Sequence, residues 1–360
     1  MIIAFIVITL TLFICTDLII AYSLMKLFSR PYSTNKGIKI SIIIAAKNEE
    51  NNIAALIESL KNQDYPVENF EVVIIDDNST DDTLNKTQRL IGGLNNFSVR
   101  KIIDKEFSGK RGALDIGIKK SKFPYLMITD ADCKLKSSWL SLFAGKFIEG
   151  YDFVFGMAPY FNNGSLVSNI ACFENLRSSI LTFAATNLGV PYSASARSLG
   201  FKKESFMKVD GYLNTTQTLS GDDDLLLREA IKSKLRIGTV TNSNAYVYSQ
   251  PKVNFKDYIH QKARHTSTSF YYLFKQKLIL SFWYILNLFL LFSIFLVFIN
   301  KLFLLLFITK LITDVVLVQY SKKKFGYKFK LAEIIYLQVF YEMLIIINFF
   351  TAKFMKVEWK

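Results

Sequence analysis

The 360-residue chain predicts an α/β protein: a doubly wound, mostly parallel sheet between N-terminal and C-terminal transmembrane helices. Three observations predict it. Apolar residues make up 51% of the chain, high for a wholly soluble protein, and they crowd its two ends. Between those ends, short β-branched runs alternate with helical spacing of apolar residues. Each β-branched run also stops at a polar cluster, as in open sheets that bind ligands beyond the carboxyl ends of their strands.

The first stretch, "MIIAFIVITLTLFICTDLIIAYSLMKLF", is long enough to span a bilayer and carries one Asp. It has neither a basic start nor a small-residue cleavage site, so it reads as a retained anchor over 1–29. "IKISIIIAA" (Ile38 to Ala46) predicts a buried strand, and Ile53, Leu56, Ile57 and Leu60 an amphipathic helix after it. "FEVVIIDDNSTDDT" repeats the arrangement, with a strand at Val72 to Ile75 and Ser79 as helix N-cap, Asp82 three residues later. "FSVRKII", "GALDIGIKKS" and "YLMITDAD" predict strand, helix and strand. The soluble domain is expected over 30–276.

Apolar density returns over 277–360, which predicts two or three further helices. "LILSFWYILNLFLLFSIFLVFI" has no charge. "LFLLLFITKLITDVVLV" holds Lys310 and Asp314 on one helix face, placed to pair, and "LAEIIYLQVFYEMLIIINFF" holds two glutamates. Lys26, Arg30, Lys36 and Lys39 follow the first span, Lys275 and Lys277 precede the second, and Lys322 to Lys324 precede the last. Basic short loops stay cytoplasmic, which places the soluble domain in the cytosol and the amino terminus outside. The expected location is an integral membrane protein, of the inner membrane if bacterial. Three isolated cysteines suit a reducing compartment. The net charge of +14 crowds the membrane flanks, which favours an anionic leaflet over nucleic acid as its partner.

The polar clusters carry the chemistry. They are Lys47, Asn48 and Glu49; Asp76 and Asp77; and Asp130 and Asp132 around one alanine. No GxGxxG follows the first strand and no GxxxxGK[ST] occurs, which argues against dinucleotide oxidoreductases and P-loop NTPases. Paired carboxylates suit a hard divalent cation, Mg2+ or Mn2+, that also holds phosphates. For single members the bland alternative stays open: Asp76 as a turn cap, or three aspartates as a dipole-favoured helix start.

"SIIIAAKNEENNI", "VVIIDDNSTDDT", "GKRGALDIGI", "DAD", "SGDDDLLLREA" and "QKARH", in this order, resemble the family 2 inverting glycosyltransferases. The resemblance covers roughly Ile38 to His265 and implies a GT-A fold, often accompanied by membrane helices. It implies a UDP- or GDP-sugar donor bound near Ala46, Asn48, Glu49, Asp76, Asp77 and Asp130, with Lys110 or Arg111 approaching it. Asp130 and Asp132 would hold the metal. "SGDDDLLLREA" resembles the family's Thr-Glu-Asp motif, which puts Asp222 on the catalytic base position, Gly221 replacing Glu, with Asp223 as runner-up. In "QKARH", which resembles QxxRW, Gln261, Arg264 and His265 would border the diphosphate and acceptor, although His265 stands where Trp is expected and is open to reading as an interfacial residue. Arg177 and Arg197 read as surface charges rather than phosphate contacts.

The expected function is transfer of a sugar from a nucleotide diphosphate donor to a lipid-linked or membrane-bound acceptor. A processive polysaccharide synthase that extrudes its product would share every motif. A catalytically inactive scaffold or transporter-associated protein would need disrupted acids.

Overall fold

The computed structural model describes residues 1–354. The chain folds as two compact units. Among the described residues, one comprises Met1–Arg30, Asn162–Pro191 and 251–354; the other comprises Pro31–Phe161 and Tyr192–Gln250. Segments 162–191 and 251–276 fall within the stretch read above as one soluble domain, yet they pack with the apolar helices.

In chain order the elements begin with α1 (Ile2–Ser29), β1 (Ile40–Ala46), α2 (Ile53–Lys61), β2 (Phe70–Asp76), α3 (Thr83–Ile91), β3 (Phe97–Lys101), α4 (Lys110–Lys120), β4 (Tyr125–Ile128) and β5 (Lys134–Leu135). There follow α5 (Trp139–Ile148), β6 (Phe153–Gly156), α6 (Leu166–Asn187), β7 (Leu199–Lys202), α7 (Lys203–Lys208), α8 (Asp224–Lys232), β8 (Ile237–Val240) and β9 (Val247–Tyr248). The last are α9 (Phe255–Ser267), α10 (Phe274–Phe292), α11 (Phe303–Ser321) and α12 (Leu331–Phe354).

In the second unit, seven strands form one sheet in the order β3-β2-β1-β4-β7-β6-β8. β7 runs antiparallel to β4 and β6, and the remaining pairings are parallel. The expected doubly wound, mostly parallel sheet is present. Every position of β2 and all but one of β1 are buried, as an uninterrupted apolar run requires when helices cover both faces. α2 buries the four predicted residues, Ile53, Leu56, Ile57 and Leu60, each contributing about 1.5–3 kcal/mol of apolar burial. The strand order reverses between β1 and β4, so the crevice beyond their carboxyl ends is where such a sheet binds ligand.

The start of α3 differs from expectation. The helix begins at Thr83 with Asp82 at the N-cap position, and Ser79 caps nothing. Ser79 Oγ instead accepts the Asn48 amide at 3.0 Å, because the loops after β1 and β2 bond to each other. Glu49 N donates to Thr83 Oγ1 (2.7 Å) and Thr80 N to Asn48 Oδ1 (2.9 Å). A side chain that serves a neighbouring loop is lost to its own helix.

In the first unit, four helices among the described residues are long and apolar enough to cross a membrane: Ile2–Ser29, Phe274–Phe298, Phe303–Phe325 and Leu331–Phe354. Three of them lie toward the carboxyl end. Large apolar side chains such as Phe5, Ile8, Ile285, Ile312 and Phe340 face outward from them, as lipid contact requires. Inside the unit, Lys310 Nζ donates to Asp314 (2.7 Å), Glu342 (2.9 Å) and Asn287 (2.9 Å). Arg177 of α6 reaches the same Asp314 at 3.0 Å. The Lys310–Asp314 pair was expected. Arg177 was expected on the surface and is 4% exposed, because α6 packs among the apolar helices where a lone guanidinium would be prohibitive without an acid.

Candidate active site

Lys110 is the first residue of α4, delivered by Gly109 in a left-handed conformation (φ +69°). Its ammonium lies 2.5 Å from Asp130 Oδ1 and 3.2 Å from Asp222 Oδ2. Asp130 follows β4, whereas Asp222 precedes α8, so two distant parts of the chain share one cation. Lys110 keeps its proton strongly: burial opposes the charge, but the carboxylates of Asp130 and Asp222 outweigh it.

The loop bearing Asp222 is fixed from two directions. Arg111, expected as the alternative to Lys110 in approaching the donor, is 3% exposed and donates to the carbonyls of Thr218 (3.2 Å) and Ser220 (3.0 Å). Gly221 has φ +86°, a conformation that strains any residue with a Cβ, which accounts for glycine where the resembled motif has Glu. Asp223 is committed to backbone: its two oxygens accept from Ala196 N (2.9 Å) and Asp224 N (2.8 Å). Burial and then the charges of Asp224 and Asp222 push its carboxyl up to about 8 despite those amides. Asp224 Oδ1 accepts from Ala194 N at 3.0 Å. Of the three aspartates, Asp222 is the one that meets the Lys110 ammonium.

Asp132 is exposed to water yet enclosed by neighbouring atoms. Desolvation and then the Asp130 charge push its carboxyl up. Among the described residues no group of three or more His, Cys, Asp and Glu side chains forms a ready-made metal cage. Two carboxylates one residue apart nonetheless fit a hard divalent cation, which completes its coordination with water and phosphate oxygens. Arg197 stands over the Tyr160 ring (4.4 Å) and donates to Ser249 Oγ (2.6 Å), so it is a packed residue rather than a freely solvated surface charge.

On the other side of the crevice, Ala46 ends β1 and its carbonyl accepts from Asp77 N (2.8 Å). Asp76 is 1% exposed. Its Oδ2 accepts from Ser79 N (3.2 Å), while Oδ1 has no partner among the described residues. Asp77 is paired with Lys105, whose ammonium lies 2.6 Å from Oδ1 and also donates to Gly109 O (2.9 Å). Asn48 and Glu49 belong to the loop-to-loop bonding already described. Gln261, Arg264 and His265 sit on α9, in the unit of apolar helices, where Arg264 Nη2 lies 3.2 Å from His265 Nε2.

Sequence reasoning missed Lys105 and Tyr212. The first stands in the loop ahead of the "GKRGAL" stretch, where nothing marks it as a partner of Asp77. Tyr212 is buried, with a hydroxyl that has no partner among the described residues. Its phenol is held well above its usual range by burial and then by Asp222.

Residues 41–203 match the model of Glycosyl transferase family 2. The beta-monoglucosyldiacylglycerol synthase of a Nostoc species is 36% identical over 124 residues, 33% of this chain and 26% of that protein. A dolichyl N-acetyl-alpha-D-glucosaminyl phosphate 3-beta-D-2,3-diacetamido-2,3-dideoxy-beta-D-glucuronosyltransferase of Methanococcus voltae is 28% identical over 229 residues, 59% of this chain and 68% of that protein. Among solved structures, a mannosyltransferase of Pyrobaculum calidifontis in complex with GDP-Man and Mn2+ superposes with a TM-score of 0.59 at 16% identity, covering 98% of each chain. This chain thus spans about a quarter of the Nostoc relative's length, and its likeness to the mannosyltransferase is one of fold, the GT-A fold expected from the motifs. Matched segment, motif order and sheet agree: residues 41–203, a little under half of the chain, form a domain that matches glycosyl transferase family 2.

Proposed function

We propose that the protein is a membrane-embedded, metal-dependent inverting glycosyltransferase, moving a sugar from a UDP- or GDP-linked donor to a hydroxyl or phosphate of a lipid-linked or membrane-bound acceptor. The observation that carries this reading is the Lys110 ammonium shared by Asp130 and Asp222, one acid from the candidate metal pair and one from the candidate base loop. The acceptor class is supported by four helices long and apolar enough to cross a membrane and by relatives named for diacylglycerol and dolichyl phosphate substrates. The basic flanks of those helices support a catalytic domain on the cytosolic side.

In this mechanism Asp222 accepts the proton of the acceptor hydroxyl as its oxygen attacks the anomeric carbon from the face opposite the diphosphate. The bond from that carbon to the diphosphate breaks, its electron pair leaves with the nucleotide, and one in-line displacement inverts the anomeric centre. Asp130 and Asp132 would hold Mg2+ or Mn2+, which when bound neutralises charge developing on the diphosphate. Arg111 and Asp223 are positioning residues: they fix the backbone on either side of Asp222, and a base must be placed to within a fraction of an ångström. Asp76, with an unfilled carboxylate oxygen at the end of β2, is offered to the nucleoside, beside Asp77.

The test is a panel of UDP- and GDP-sugars scored by thermal stabilisation with Mg2+ or Mn2+, followed by transfer of the labelled sugar to a membrane lipid extract. One donor should stabilise the protein only with metal present and yield a lipid product carrying a single added sugar. No stabilisation by any donor would remove the reading, and a long polymer product would replace it with the processive synthase.

A further inference from the structure

Lys110 is more than a donor contact in waiting, because of what it holds without one. Its ammonium is only 13% exposed at the side chain and engages both Asp130 and Asp222, whose side chains are 31% and 13% exposed. It is thus the internal counter-ion of one candidate metal ligand and of the candidate base together. A second lysine repeats the arrangement at the other end of the same loop: Lys105 pairs with Asp77 and bonds the carbonyl of Gly109, directly before Lys110. That loop is firmly seated, since a Cβ on Gly112 would lie 2.0 Å from the Phe107 carbonyl oxygen.

We propose that Lys110 enforces order in donor binding: it competes with a divalent cation for the Asp130 carboxylate, so metal enters together with a nucleoside diphosphate and not alone. This rests on the reading above. The diphosphate is the one partner able to draw the ammonium off, because its oxygens offer Lys110 replacement acceptors of the same charge sign. The same transfer takes the Lys110 ammonium away from Asp222. An acid held on an ammonium is a weak base, and it becomes a competent one only once the donor is seated. Premature deprotonation and wasteful attack by water on an incompletely assembled site are both suppressed by one contact.

The experiment titrates Mn2+ into the full-length protein in detergent micelles, following free Mn2+ by electron paramagnetic resonance, with UDP and GDP each absent or present. For wild type, Mn2+ alone should bind weakly and the nucleotide should tighten it by at least about tenfold, a normal coupling between two sites. Lys110→Met should bind Mn2+ alone at least about tenfold tighter than wild type, with a correspondingly smaller gain from nucleotide. Lys110→Arg, which keeps the charge, should restore weak binding of metal alone, an outcome that a general loosening of the fold would not produce. If wild type binds Mn2+ alone as tightly as Lys110→Met, the ordering is wrong, even where nucleotide and metal together still bind and sugar transfer proceeds. If neither UDP nor GDP alters Mn2+ binding in any variant, the ordering falls, and the glycosyltransferase reading falls with it.

Discussion

Lys310 and Lys110 each bridge two carboxylates, in surroundings that differ in one respect. Around Lys310, Asp314 and Glu342 every side chain is at most 1% exposed, and Asn287 and Arg177 supply further contacts. Around Lys110 the acids remain partly open, and Asp132 beside them is exposed. A sealed ionic node leaves no room for another ligand, so its work is to hold α6, α11 and α12 together. An open one has capacity left over for a cation or a phosphate. Burial, rather than charge count, separates the structural cluster from the candidate functional one.

Breaking the sealed node should have the largest effect on stability. Lys310→Met leaves Asp314 and Glu342 charged inside the apolar unit and should cost about 3–5 kcal/mol, read as a large fall in the thermal midpoint. Lys110→Met should lower the midpoint far less, because water and added metal reach its acids. Equal losses in the two variants would erase the distinction. Next in size, Arg111→Lys cannot fork onto the carbonyls of Thr218 and Ser220, and the shifted Asp222 should lower kcat by up to about 10²-fold with the donor KM little changed. A rise in KM at constant kcat would instead place Arg111 on the donor. Gly221→Ala should destabilise by about 1–2 kcal/mol through its left-handed backbone, measured by denaturant or thermal unfolding.

The last prediction is a pH trend. The Asp223 carboxyl sits near 8 in the folded chain and near 4 when unfolded. Between those values the native state keeps a proton that the unfolded state has lost, so stability should fall as pH rises across that window. Asp223→Asn should flatten the fall, and an unchanged slope would mean that the three consecutive aspartates share their charge differently.

Much of this was legible because it is local. Continuous β-branched runs marked β1 and β2, the period-3.6 pattern marked α2, and the strand-ending acids pointed to one sheet edge. The Lys310–Asp314 pair lies one helical turn apart and shows in the spacing alone. What stayed hidden depends on partners distant in sequence. Ser79 looked like a cap because nothing local reveals that Asn48 claims its hydroxyl. Arg111 and Lys110 are neighbours in the same motif, and only the fold sends one to backbone carbonyls and the other to the acids. The insertion of α6 among the apolar helices was illegible for the same reason: its polar residues suit a soluble domain until Asp314 is seen to meet Arg177.

The most direct test is turnover of the stabilising nucleotide sugar by purified Asp222→Asn, measured beside equilibrium binding of the same donor. The account predicts donor binding and thermal midpoint close to wild type, with sugar transfer reduced by about 10²–10⁴-fold, the range that a lost general base commands. Transfer at the wild-type rate would contradict it, and would move the base away from the carboxylate that Lys110 holds.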